Sequence, residues 1–201
     1  MKVIMMKIHN YLALIFIALA SLTTINAQGK QDKRYALFKI KKVYKEINAY
    51  KNYKKITIDE SEDFLGHNTD NGGSLTAYYK DDSVKKIIEW VGLSNKIIQN
   101  EYYLNNDKLI FVYSTEEMYR FNESTQNFDY SKLDNVFKGR YYFEKEKLID
   151  TILNNKKHEE TKEQDADTFL TSSKSYLKLL NAQPKTKTKN LTSLQRLQNI
   201  R

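Results

Sequence analysis

The chain has 201 residues, 40% of them apolar and 29% charged, with no cysteine. That length can bury a sizeable core in one domain, and the composition excludes both a multipass membrane protein and a disulfide-stapled mini-domain. The formal net charge of +8 is uneven: Lys2 and Lys7 lie at the N-terminus, seven cations and no acid lie in 168–201, and residues 28–167 are left at −1. The domain is electrically balanced, so no nucleic-acid partner is expected.

Lys2 and Lys7 precede an apolar run at 11–20, after which Thr23, Thr24 and Asn26 lead to Ala27. A positive start, about ten apolar residues and a small residue at the cut form a secretory signal peptide, predicted at 1–27 with cleavage after Ala27. A span needs about 20 apolar residues, so no integral membrane segment is expected after cleavage. The mature chain is expected to be periplasmic or secreted.

Leu37, Ile40, Tyr44 and Ile47 fall at helical spacing and predict an N-terminal amphipathic helix within 35–53. Residues 55–59 alternate like a strand, and the acidic stretch 59–70 reads as a solvated loop. Three segments then align without gaps, beginning at Ala77, Tyr102 and Tyr141. Each has an aromatic-rich arm, four polar residues and a second arm rich in β-branched and aromatic residues, which predicts three β-hairpins. Turns at Asp81-Asp82, Asn106-Asp107 and Lys145-Glu146 would oppose Tyr79 to Val84, Leu104 to Leu109 and Phe143 to Leu148, all apolar pairs on one face. Asn106-Asp107 suits a tight turn, whereas Lys145-Glu146 does not and predicts a longer loop.

On the other face this register places Tyr78, Tyr103 and Tyr142 with Ile87, Ile110, Val112 and Ile149, so a cover over part of it is expected. Between the hairpins, Arg120-Phe121 continues a strand and 131–137 reads as a helical turn. A C-terminal amphipathic helix is predicted at 165–181, with Phe169, Leu170, Tyr176, Leu177 and Leu180 on one side and Pro184 as its stop. The fold class is therefore α+β: an antiparallel meander sheet of about five to seven strands built from β-hairpins, with an N-terminal and a C-terminal helix. The domain division is 1–27 signal peptide, 28–182 single α+β domain, and 183–201 basic linker with a short C-terminal helix carried by Leu191, Leu194, Leu197 and Ile200.

The phrases at 101–113 and 140–149, with the Ala27-Gln28 junction and Gly72-Gly73-Ser74-Leu75-Thr76, resemble those of small uncharacterised exported proteins of Bacteroidota with repeated hairpins of the form YYF-x-NGKLI. The resemblance covers roughly residues 35 to 153 and implies no activity. A weaker similarity is to MORN-type hairpin repeats, whose constant short period and recurrent glycines are missing here, the spacings being 25 and 39.

Chemistry is sparse. The mature chain carries only His67 and His158, without helical pairing, so no metal site is expected. No Gly-x-Ser-x-Gly turn occurs, and Gly72-Gly73 precedes a strand rather than a helix, which removes the serine-hydrolase and phosphate-cradle patterns. The acidic stretch lacks calcium-loop spacing. No catalytic residue and no cofactor are expected. The fifteen tyrosines are the distinctive feature; rings ending in a polar group serve both sheet packing and partner binding. The coherent binding set is Tyr78, Tyr103 and Tyr142, with Trp90 added. The expected function is a non-enzymatic exported domain that engages a protein or envelope component. The alternative is an extracytoplasmic hydrolase acting on carbohydrate or peptide through Glu89, Glu101 or Asp107. Weak contact of the basic C-terminal tail with an anionic surface is a further expectation.

Overall fold

The computed structural model describes residues 29–154 and 162–182. The expected signal peptide at 1–27 and the expected linker and helix at 183–201 lie outside the described residues. Helix α1 covers 29–49, and the chain divides into two compact units with the boundary inside that helix, after Val43. The second unit continues through β1 (Lys54–Ile58), α2 (Ser61–Leu65), β2 (Gly73–Lys80), β3 (Ser83–Gly92), β4 (Lys96–Asn105), β5 (Lys108–Asn122), β6 (Asn127–Glu144), β7 (Lys147–Leu153) and α3 (Lys162–Ala182). The strands form one seven-stranded antiparallel sheet in sequence order. This is the meander with terminal helices that the hairpin repeat predicts.

All three reversals have two residues, both at positive φ: 51° and 58° at Asp81-Asp82, 50° and 58° at Asn106-Asp107, 51° and 60° at Lys145-Glu146. This left-handed pair matches the twist of adjacent antiparallel strands. The longer loop expected at Lys145-Glu146 is therefore not formed. Phe143, fully buried, pairs with Leu148 in the core layer, and that burial outweighs local strain of about 1–2 kcal/mol per left-handed residue.

The expected pairs Tyr79↔Val84, Leu104↔Leu109 and Phe143↔Leu148 are all present. The next pairs are Tyr78↔Lys86, Tyr103↔Phe111 and Tyr142↔Asp150, so Lys85, Ile110 and Ile149 are each one residue in excess. Such a bulge shifts the alternation of everything beyond it. Ile87 and Val112, expected beside the outer tyrosines, consequently turn inward and are fully buried.

The inner face carries the row Ala77–Ile87–Tyr102–Val112–Tyr141 across five strands. Helix α3, predicted three residues shorter at its start, lays Ala166, Phe169, Tyr176 and Leu180 on this face. Phe169 meets Tyr102 and Tyr141 at ring distances of 5.9 and 4.9 Å. The acidic stretch is not all loop: Glu62 and Asp63 favour the start of the short helix α2, and Gly66, at φ 77°, ends it with a left-handed cap.

The helical turn expected at 131–137 is overturned. Residues 127–144 form one 18-residue strand that pairs with β5 down to Asn122↔Asn127. Leu133 and Phe137 have helical spacing, but the β5 ladder holds them extended, and a bulge at Val136 turns Phe137 into the buried layer. Beyond β4 the β5–β6 pair continues as a two-stranded arm, with Tyr119 against Tyr130 and Phe121 against Phe128 at 4.8 and 5.4 Å.

The strained turn supplies a test. Replacing Lys145 by Asn together with Glu146 by Gly is expected to raise the unfolding free energy by about 1 kcal/mol. The lost Lys174–Glu146 pair is surface-exposed and offsets little of this. Urea denaturation of the double variant reads the effect, and an unchanged midpoint contradicts it.

Candidate functional site

The outer face of the middle strands carries two neighbouring cross-strand rows, Trp90–Gln99–Thr115–Lys138 and Gly92–Ile97–Glu117–Asn135. All of these but Gly92, together with Tyr113 from the next row, line an open trough of about 360 Å³. Gly92 is what lets the indole lie along the sheet: a Cβ there would stand 2.9 Å from the Trp90 ring and 2.8 Å from Asn71. Arg140 places its guanidinium over the Tyr113 ring, 5.4 Å from the ring centre. Gln99 is oriented by donating from Nε2 to Glu101 Oε1 at 3.2 Å. Among the described residues, Glu117 and Lys138 form no salt bridge, so both present their charge to the trough.

Tyr78, Tyr103, Tyr142 and Trp90 do share one face, but they do not make one exposed surface. Tyr103 is 1% exposed and Tyr142 5%. Tyr44, in the last turns of α1, lays its ring 4.9 Å from Tyr103 and 5.2 Å from Phe111. The Tyr103 hydroxyl donates to Glu101 Oε2 at 2.6 Å, with the Asn48 side-chain amide 3.3 Å away, and Lys86 Nζ pairs with the same Glu101 oxygen at 2.7 Å. Tyr142 packs on Phe111 at 5.0 Å. Tyr78 is half-buried, edge-on to Tyr53 and flanked by Lys55 and Lys86. Tyr103 and Tyr142 are thus packing residues, a correction to their place in the binding set. Of the four candidates, Trp90 alone lines the open trough.

Gln99, Thr115, Glu117, Asn135 and Lys138 had escaped the sequence reading. The unbulged Leu104–Leu109 register would set Gln99 opposite Ser114, and only the bulge, which the sequence does not mark, sets it opposite Thr115.

On the inner face Glu89 is buried and accepts three hydrogen bonds. Tyr102 OH and Asn100 Nδ2 donate to Oε2 at 2.8 and 2.9 Å, and Tyr176 OH donates to Oε1 at 2.7 Å. The carboxylate therefore ties α3 to the sheet. Glu101 lies on the opposite face, and Asp107 sits in an exposed turn, so the three carboxylates named for hydrolysis do not converge. His67 is exposed, with Nδ1 3.2 Å from the Leu65 carbonyl oxygen. Among the described residues no group of three His, Asp or Glu side chains is placed to hold a metal. No described helix is long and apolar enough to cross a membrane. No family model, curated protein or solved structure matches the chain.

Burial pushes the hydroxyls of Tyr102, Tyr103, Tyr141 and Tyr176 well above the ordinary tyrosine range, and the carboxylates of Glu89, Glu101 and Asp165 add to the shift. A raised folded-state pKa means that this stabilisation is intact below the unfolded value of about 10 and is lost as pH climbs above it. Absorbance titration is expected to show the exposed tyrosines ionising first and these four only in a cooperative step that coincides with loss of the sheet's circular dichroism. Smooth ionisation of all tyrosines near pH 10 contradicts it. Removing the acceptor with Glu89→Leu is expected to cost about 3 kcal/mol, because three buried donors lose their partner; Tyr176→Phe should cost about 1–2 kcal/mol. Urea unfolding of the two variants ranks them.

Proposed function

We propose that the mature chain is an exported, non-enzymatic binding module of the cell envelope, with the trough on β3–β6 as its recognition surface. The observation that carries this reading is the placing of two aromatic rings, Trp90 and Tyr113, in one trough with the polar side chains of Gln99, Thr115, Glu117, Asn135 and Lys138. Flat rings give contact area at low entropic cost, and a few oriented polar groups give specificity. The helix-covered face, by contrast, directs its buried hydroxyls and the Glu89 carboxylate at one another. The separation of Glu89 from Glu101 across the sheet supports binding over carboxylate-pair hydrolysis.

Export is tested by sequencing the N-terminus of material recovered outside the cytoplasm, with Gln28 as the expected first residue; an intact Met1 overturns it. Binding is tested by retention of tagged protein in washed envelopes. Trp90→Ala with Tyr113→Ala is expected to reduce retention about tenfold, the loss of about 1.4 kcal/mol, while exposed His67→Ala has no effect and circular dichroism stays unchanged for both. Equal retention of all forms contradicts the reading.

A further inference from the structure

We infer that the trough takes a short saccharide, an inference that rests on the binding reading above and names its ligand. The geometry excludes the commonest peptide mode. Both rows cross β3, β4 and β5, whose backbone N–H and C=O groups are engaged with strands on either side, and end on β6, which β7 pairs only from Gly139 onward. A strand added at the β6 edge would lie beside the trough rather than over its rings, so a ligand seated on the rows is read by side chains alone. Those side chains are mixed in a particular way. Asn135 carries both donor and acceptor capacity, Gln99 keeps its amide oxygen and one amide hydrogen beside its bond to Glu101, Thr115 donates to the Gln99 carbonyl and is left to accept, Glu117 only accepts, and Lys138 only donates.

A sugar hydroxyl likewise donates once and accepts twice, so a ring of hydroxyls needs such a mixed rim. A pyranose also presents flat C–H faces, which are apolar and stack on an aromatic ring. Trp90 lies along the sheet over Gly92 and is the stacking platform, while Tyr113, with the Arg140 guanidinium over its ring, is held in place beside it without rearrangement. The charges point the same way. One carboxylate and one ammonium within the trough cancel, which disfavours a phosphate-bearing ligand and leaves a near-neutral polar one. At about 360 Å³ the trough lies near the lower end of small-molecule sites, the size of one or two sugar rings rather than a folded partner.

Trp90 is the chain's only tryptophan, so its emission reports this trough and nothing else. The full mature chain is titrated with chitotetraose, cellotetraose and maltotetraose. At least one is expected to give a saturable change in emission, and Asn135→Ala and Glu117→Gln are each expected to weaken it about tenfold, one lost hydrogen bond. Both side chains border solvent, and matching circular dichroism of the variants separates lost contacts from lost fold. No emission change with any of the three up to ~10 mM, a Kd ceiling of weak lectin type, overturns the saccharide inference. If envelope retention still depends on Trp90 and Tyr113 in that case, the binding reading survives with a different ligand; if retention is also indifferent to them, both fall.

Discussion

A one-residue excess on the second arm of each hairpin decides which side chains meet in this protein. Lys85, Ile110 and Ile149 occupy equivalent places, directly beyond the second pair after the turn. Without them, strict alternation would send Ile87 and Val112 to the outer face and leave Tyr102 without its inner row. With them, the tyrosine doublets acquire a division of labour. Tyr102 and Tyr141 pack under α3, while Tyr103 and Tyr142 lie on the other side, where Tyr103 meets the end of α1. The bulge also strengthens the local twist, which suits a sheet wrapped against a single helix.

The two faces consequently carry different kinds of polar group. Beneath α3, the hydroxyls of Tyr102 and Tyr176 and the amide of Asn100 converge on Glu89. A carboxylate so enclosed is tolerable only because donors surround it, and it gives α3 one seating rather than several. On the outer side the polar residues of the middle strands are held by neighbours at one end and open at the other, as Gln99 is by Glu101. The enclosed carboxylate thus lies in one layer and the partly open polar row in the other.

Much of the architecture could be read before any coordinates. Apolar pairs flanking polar dipeptides gave the hairpins, their register and the meander, and spacing of apolar residues gave both helices. What could not be read has identifiable causes. A bulge leaves no mark in composition, so the face of Ile87 and Val112 was inverted. The left-handed turn at Lys145-Glu146 is imposed by the burial of Phe143 and Leu148, a tertiary demand that local turn chemistry does not register. Residues 131–137 have a helix-like period that only the presence of β5 overrides. For the candidate site, Trp90 was visible as a rare residue at a strand end. Gln99, Thr115, Glu117, Asn135 and Lys138 were not, because ordinary polar residues become a group only when four strands are laid side by side.

The meander order has a consequence for how the chain acquires its structure. Every strand finds its partner immediately before or after it, so the sheet closes short loops only, and the entropy lost at each step is small. The bond from Tyr176 to Glu89 is different, joining residues 87 positions apart. A chain emerging from the ribosome can zip its hairpins in the order in which they are made, but the dry layer stays open until α3 arrives. Helix α3 is thereby the keystone, and a truncated chain that lacks it would carry the inner row, with the rings of Tyr102 and Tyr141, into water.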